Sequence, residues 1–303
     1  MKEQDLKLII ADIDGTLVED STRTMLPFTR DVLNFLHAKG ILFGIASGRP
    51  TDELSRNSLQ YHLDFEPDIF IGMNGGEVDD RISHQVSSCY PLTPEDIQFS
   101  IELFKDYPEV NPILYRDHKL VCRYRDELIK GTESRSGKSS HVVETEEEFW
   151  SEETGKMMFR TKTAELCSEI EAHAKTRVPA HLAAFKTQPT LLEIQNNSVN
   201  KGVALKQVAA QHNIPIESII AFGDASNDNE MLRDAGLGVC MINGLEDTKA
   251  ASDVLSDYNC NEDGMARYLY DHFRGLFAGF ESQYLDENKE YNLDENKEYK
   301  PYR

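Results

Sequence analysis

Four short stretches of this chain carry residues that could do chemistry together. Asp12 and Asp14 stand two apart in LIIADIDGTL, and Ser47 heads Ser47-Gly48-Arg49. Lys201 follows Asn200, while Asp224, Asn227 and Asp228 share the stretch GDASND. Carboxylates as close as Asp12 and Asp14 repel one another and lose hydration unless a proton or a cation lies between them. A hard divalent cation such as Mg²⁺, which prefers oxygen ligands, resolves that conflict. A helix–loop–helix calcium site is excluded by spacing. Counted from Asp12, its sixth and twelfth positions, which require Gly and Glu, are Leu17 and Arg23.

The four stretches together specify phosphoryl transfer, which needs a nucleophile, positive charge on the phosphoryl oxygens and an acid for the leaving oxygen. Asp12 can attack phosphorus and form an aspartyl-phosphate. Asp14 is placed to protonate the leaving alcohol and then to activate water. Mg²⁺ would bridge Asp12, the backbone carbonyl of Asp14 and Asp224. Ser47 and Lys201 would hold phosphate oxygens, with Gly48 letting the backbone approach closely. Asn227 is a further phosphate ligand, and Asp228 a supporting group that orients Lys201 or the metal's surroundings. Taken singly, Asp-x-Asp-Gly is also an ordinary solvated turn and Ser-Gly an ordinary loop. The combination carries the reading.

The elements that must position these residues follow from periodicity. Leu8–Ala11, Ile41–Ala46, Ile69–Gly72 and Ile219–Phe222 are unbroken apolar runs, the pattern of strands buried on both faces. Asp12, Ser47 and Asp224 each fall at a carboxyl end, where open α/β sheets place ligands. Helical spacing covers 27–39, 51–65, 203–212, 229–235 and 265–277. Between about residues 77 and 195 the pattern changes. A hairpin or crossover over 78–88, helices over 94–107 and 163–174, and strand-like runs at 113–115, 120–124, 156–160, 181–187 and 190–195 suggest an inserted α+β block. Residues 125–155 are polar, and their acidic run, 144–148, reads as a solvated helix start. The expected fold is α/β, a doubly wound parallel Rossmann-like sheet with an inserted α+β cap domain. The core spans 1–80 and 190–280, and the cap 81–189. Residues 281–303, a polar tail with LDENKEY twice, read as frayed or disordered.

Composition bounds the partners. A formal charge of −21 over 303 residues lacks the basic footprint of a nucleic-acid binder. It also requires any anion site to be positive locally. No apolar run reaches the length of a membrane span, and Asp12 interrupts the only N-terminal apolar stretch before it could serve as a signal peptide. A cytoplasmic location is expected, with no membrane partner. The five cysteines are scattered, without CxxC spacing, and read as reduced thiols. His84, His118, His141 and His181 lack ligand spacing, and Trp150 reads as a packing residue.

The four stretches resemble the four motifs of the haloacid dehalogenase (HAD) superfamily of phosphohydrolases, in order and at family spacing. These are Asp12 to Thr16, Ser47 in IASGR, Lys201 in VNKGVAL, and Gly223 to Met231 as GDASNDNEM. Leu192-Glu193-Ile194, Val239 to Ala251 and Glu262 to Met265 are similar to the Cof-type branch (subclass IIB, C2-type cap), whose cap lies between the second and third motifs. One departure is the loop CMINGLED after Val239, where the branch more often has Gly-Asn-Ala. The resemblance implies an Mg²⁺-dependent phosphatase acting through an aspartyl-phosphate on a small-molecule phosphate ester, with sugar phosphates the leading class. Two alternatives stay open. One is a phosphomutase that returns the phosphoryl group to a sugar, and the other is a non-catalytic phosphometabolite-binding regulator.

Overall fold

The structure is a computed structural model that describes residues 2–286, 290 and 291. The apolar runs become central strands: β1 (Leu8–Ala11), β2 (Leu42–Ala46) and β3 (Ile69–Gly72), separated by α1 (Pro27–Ala38) and α2 (Thr51–Ser58). The expected helix over 51–65 stops early. It tightens to a 3₁₀ turn at Leu59–Tyr61, and His62 adopts a left-handed φ of 52° that ends it. A hairpin follows, β4 (Glu77–Asp80) and β5 (Gln85–Ser88).

Next come α3 (Pro94–Glu102), β6 (Asn111–Arg116), β7 (Lys119–Cys122), α4 (Glu127–Ser136) and β8 (Ser140–Val142). They are followed by β9 (Met157–Arg160), α5 (Ala164–Lys175), β10 (Leu182–Gln188) and β11 (Leu191–Asn196). The chain continues through α6 (Lys201–Gln211), β12 (Ile219–Gly223), α7 (Asn229–Asp234) and β13 (Leu237–Cys240). It closes with α8 (Glu246–Ala251), β14 (Val254–Leu255) and α9 (Gly264–His272). The last helix does not run to 277. Phe273 leaves helical geometry (φ −128°, ψ 38°), and Arg274–Phe277 is a separate 3₁₀ turn.

Eight strands form one sheet in the order β14-β13-β12-β1-β2-β3-β4-β5. It is parallel from β14 to β2, with an antiparallel edge at β3-β4-β5. Non-sequential neighbours joined by helices make it the doubly wound α/β sheet that the apolar runs predict. Six strands form a second sheet, in the order β10-β11-β9-β6-β7-β8, and all but one of its pairings are antiparallel.

Contacts divide the chain into two compact units. The first is Met1–Ile45, Ser58–Asp68 and Ala209–Arg303, and the second is Ala46–Asn57 and Ile69–Val208. In the first unit β1 and β12 are buried along their whole length, and α1 packs on α9. Phe28 meets Tyr270, Phe280, Tyr284 and Tyr291, with the Tyr291 ring 4.8 Å away. Tyr291 bridges back to Leu285, and its hydroxyl donates to Asp263. The first LDENKEY copy is thus described at both ends. Residues 287–289 and the second copy, within the expected frayed tail, lie outside the described residues.

The second unit holds the six-stranded sheet, whose two faces differ in kind. Residues directly opposite across antiparallel strands share a face. Leu114, Val121, Met157, Phe159, Leu192 and Ile194 lie on one face, in a buried apolar core with residues of α3 and α5 such as Ile97 and Ile170. Trp150 is half-buried against that core, as the packing reading expected. The other face carries Met158, Arg160, Glu193, Ile113 and Tyr115, and only part of it is apolar. His118, His141 and His181 each face one carboxylate (Asp52, Glu148 and Asp96) rather than a ligand cluster.

Candidate active site

The first unit assembles the acidic part of the site at the carboxyl ends of β1 and β12. Asp12 extends the parallel ladder by one step, its N–H donating to the Phe222 carbonyl at 3.0 Å. This fixes its backbone, and the residue is 8% exposed. Asp224 follows β12 directly. Carboxylate oxygens of Asp12, Asp224 and Asp228 lie within 4.8 Å of one another, the one such acidic group among the described residues. Three carboxylates this close, two of them buried, repel strongly unless positive charge lies among them. Their all-oxygen donor set fits a hard divalent cation and not a soft metal. Cys240 lies nearby. Burial, and then the charge of Asp224, pushes its thiol up to about 11.

The loop after β1 is tied to this group. The Thr16 hydroxyl donates to Asp224 Oδ1 at 2.9 Å, and Asn243 Nδ2 donates to the Gly15 carbonyl at 2.8 Å. Gly15 has a φ of +85°, and a Cβ there would stand 2.5 Å from Asp224 Oδ2. Glycine is required twice over, by conformation and by space. Asp228 is fully buried, and its Oδ2 accepts the N–H groups of Asp224 and Ala225, each at 3.0 Å. It therefore both joins the acidic group and holds the Asp224 backbone. The Asp14 side chain is exposed and accepts from Arg23 at 2.8 Å. Asn227 is exposed in the 3₁₀ turn Ser226–Asp228.

The second unit holds the expected phosphate-binding residues Ser47 and Lys201. Ser47 is buried, donates its N–H to Ile71 and accepts from the N–H of Asn74 at its carbonyl. Lys201 is the first residue of α6 and wholly buried. Asn200 caps that helix, its Oδ1 accepting the Val203 N–H at 2.9 Å. Gly75 lets the chain pass here, since a Cβ at its φ of +101° would lie 2.1 Å from the Asn200 carbonyl oxygen. Gly48 sits against the Asn74 side chain, and its carbonyl is reached by Lys156 Nζ at 3.5 Å.

Thr16, Arg23, Asn243 and Lys156 were not singled out from the sequence as contributors. Thr16 lies within the first motif and Asn243 within the divergent loop CMINGLED, so both had a positional signal. Arg23 and Lys156 had none, because their contacts span nine residues or more.

The chain thus carries a doubly wound α/β sheet with buried acids past its central parallel strands, and also a second mixed sheet. The sequence profile of the haloacid dehalogenase-like hydrolases matches residues 9–269. The chain belongs to that family, in its Cof-type branch, and is a phosphatase. It is 26% identical over 277 residues to the 5-amino-6-(5-phospho-D-ribitylamino)uracil phosphatase YitU of Bacillus subtilis, covering 88% of this chain and 97% of the relative. Among solved structures, TM0651 from Thermotoga maritima is similar at a TM-score of 0.77 and 27% identity, over 88% of this chain and 97% of that one. The HAD subclass IIB sugar phosphatase BT4131 is similar at a TM-score of 0.68 and 25% identity, over 89% and 99% of the two chains. No helix among the described residues is long and apolar enough to cross a membrane.

Proposed function

We propose that this phosphatase hydrolyses the monoester of a small phosphorylated metabolite, with sugar phosphates the leading class, through an aspartyl-phosphate and with Mg²⁺ bound. The observation that carries the reading is the carboxylate group of Asp12, Asp224 and Asp228, closing to within 4.8 Å at the end of β1. Asp12 attacks phosphorus, and its fixed backbone and buried side chain hold the nucleophile in line. Asp14, whose side chain is exposed, protonates the departing oxygen and then takes a proton from the water that cleaves the aspartyl-phosphate. Ser47 and Lys201 hold phosphoryl oxygens, and Asn227 is a further contact. Gly48 lends close approach of the backbone.

Asp12, Asp224 and the Asp14 carbonyl would hold Mg²⁺, with Asp228 fixing Asp224. When bound, the ion screens the repulsion between phosphate and carboxylates. The second sheet and its helices serve as the cap that selects the leaving group. YitU is a 5-amino-6-(5-phospho-D-ribitylamino)uracil phosphatase and BT4131 a sugar phosphatase, which supports the substrate class. The five free, buried thiols suit a reducing compartment, and we place the activity in the cytoplasm.

The test is phosphate release from sugar phosphates, nucleotides, cofactor phosphates and p-nitrophenyl phosphate, with Mg²⁺ or EDTA, for the parent and Asp12→Asn. Metal-dependent release that vanishes in the variant is the expected result. Full activity in Asp12→Asn would sink the mechanism. Esters that bind without net phosphate release would favour a mutase or a regulator.

A further inference from the structure

The last described residues lie past residue 269, where the family profile ends. Within the first unit they run along α1 from its last turn back to its first. The Phe277 ring stacks on Phe35, and the Ser282 hydroxyl donates to Asp31 Oδ2 at 2.8 Å. Tyr291 reaches the start of the helix, its ring 4.8 Å from that of Phe28 and 4.4 Å from the Arg267 guanidinium. Its hydroxyl donates to Asp263 Oδ2 at 2.9 Å. Tyr291 is held there by its own chain. Leu285 bridges to it, the Asp286 N–H donates to the Glu290 carbonyl, and the Glu290 N–H returns to Asp286 Oδ1, both at 2.8 Å.

Asp263 ends the 3₁₀ turn Cys260–Glu262, and this turn frames the loop that runs from Asp14 to the start of α1. Asp263 Oδ1 accepts the N–H and the hydroxyl of Thr29, at 2.8 and 2.7 Å. It thereby caps α1, since Leu26 at the helix start offers no side-chain cap. Asn261 Oδ1 accepts the Asp20 N–H at 2.9 Å, midway along the loop. The Cys260 N–H donates to Asn243 Oδ1 at 3.2 Å, and Asn243 Nδ2 holds the Gly15 carbonyl. One short turn thus fixes the beginning, middle and end of the loop. Packing accounts for Phe277 and Phe280, which are buried apolar rings. It does not account for Tyr291, which is only half-buried and aims its hydroxyl at a carboxylate. Hydrogen bonds to ionised acceptors are roughly twice as strong as neutral ones.

We infer that Tyr291 is a positioning residue for the acid–base step: it locks the turn ending at Asp263, and through that turn the loop that carries Asp14. This rests on the phosphatase reading above and deepens it by adding a residue from outside the span that the family profile matches. Asp263 itself lies in Glu262 to Met265, a stretch similar to the Cof-type branch, whereas Tyr291 lies past the profile's end. The path to Asp14 is short. Asp20 and Arg23 share one turn, closed by the Arg23 N–H on the Glu19 carbonyl at 2.8 Å. Arg23 Nη1 then donates to Asp14 Oδ1 at 2.8 Å. Because the Asp14 side chain is exposed, its place is set by the loop's backbone and by Arg23 rather than by burial. A catalytic group displaced by about 1 Å can lose about 10²-fold in rate, so a lock at the far end of the loop bears on the chemistry.

The test uses the full chain with Tyr291→Phe or Tyr291→Ala, each combined with Tyr299→Ala so that the second LDENKEY copy offers no substitute tyrosine. Tyr299→Ala alone is the reference. The substrates, with Mg²⁺, are p-nitrophenyl phosphate and whichever of glucose 6-phosphate and ribose 5-phosphate the reference turns over faster. A sugar oxygen needs a proton as it leaves, p-nitrophenolate does not, and kcat/KM reports the steps up to transfer onto Asp12. With Tyr291→Ala, kcat/KM on the sugar phosphate should fall about tenfold, part of the 10²–10⁴-fold that a general acid supplies. On p-nitrophenyl phosphate it should stay within about twofold of the reference. Tyr291→Phe, which keeps the ring against Phe28 and Arg267, should fall between the two. The Asp20 and Thr29 amides should exchange with solvent faster in Tyr291→Ala. Equal losses on both esters, no loss on the sugar phosphate, or unchanged exchange at both amides would each overturn the assignment. A reference active on p-nitrophenyl phosphate alone would show no working acid and overturn it too, while leaving the phosphatase reading intact. A reference that releases phosphate from none of the esters would defeat the phosphatase reading, and this inference with it.

Discussion

Gly15 and Gly40 allow the geometry of the acidic site to be tested against an internal reference. Both have a φ of +85° and both lie in the first compact unit. A Cβ added at Gly40 meets nothing within 4 Å, whereas one at Gly15 stands 2.5 Å from Asp224 Oδ2 and 2.8 Å from Cγ. Gly40→Ala therefore isolates the cost of a left-handed backbone carrying a side chain, about 1–2 kcal/mol. Gly15→Ala adds the overlap. The Asp224 carboxylate cannot swing freely, because Thr16 holds Oδ1 at 2.9 Å and the backbone N–H is held by Asp228. Crowding of that kind costs about 1–3 kcal/mol, so the total for Gly15→Ala is about 2–5 kcal/mol. Urea unfolding of the two variants gives the difference directly. Mg²⁺ titration by calorimetry gives the second readout, with affinity falling at least about tenfold in Gly15→Ala and unchanged in Gly40→Ala. Equal destabilisation, with Mg²⁺ affinity unaffected in both, would refute the placement of Asp224 against this turn.

Other perturbations separate the remaining roles. Asp12→Asn should lower the rate of phosphate release by at least about 10⁴-fold while leaving the circular dichroism spectrum unchanged, since a nucleophile is lost and an isostere kept. EDTA should lower the melting temperature and Mg²⁺ should raise it in proportion to the logarithm of its concentration above Kd, because the ion binds the folded acidic group alone. In Asp52, burial works against the carboxylate but the Lys138 and His118 hydrogen bonds outweigh it, holding its pKa below the ordinary range. That stabilisation is present above the ordinary carboxylate pKa and is lost as pH falls through the depressed one. Asp52→Asn should therefore be less stable than the parent at neutral pH, with the gap closing in acid. A gap that widened on acidification would show the pair to be misassigned.

The central strands were legible because burial on both faces leaves an unbroken apolar run, as in Leu8–Ala11 and Ile219–Gly223. Asp12, Ser47 and Asp224 were legible as candidates because they stand immediately past such runs, whereas Lys201 opens α6. The helix α4 was not, since only Ile129 and Ser136 are buried along it and no apolar stripe exists. Its caps were the available signal, with Asp126 accepting the Ile129 N–H and Gly137 at a φ of +66°. Helix ends were overrun at 58 and 272, where left-handed or irregular backbone at His62 and Phe273 stops the helix despite continuing apolar spacing. Lys156 and Gln195 were visible only as members of strands, and Glu193 only within Leu192-Glu193-Ile194, the stretch that resembles the Cof-type branch. The pairing of Lys156 with Glu193 joins positions 37 residues apart, and periodicity carries no record of register.

The alternation of the second sheet has an evolutionary consequence. Along β9 and β11, odd and even neighbours answer to different selection. Met157, Phe159, Leu192 and Ile194 keep the unit folded, while the interleaved Lys156, Glu193 and Gln195 face away from that core. A duplicated gene could exchange the second set one residue at a time without disturbing the first, and so inherit a working scaffold while changing its diet. Apart from Glu193, which lies in a stretch similar to the Cof-type branch, relatives that share this scaffold and differ in substrate should have diverged at every second position of these strands, in step with the pleat.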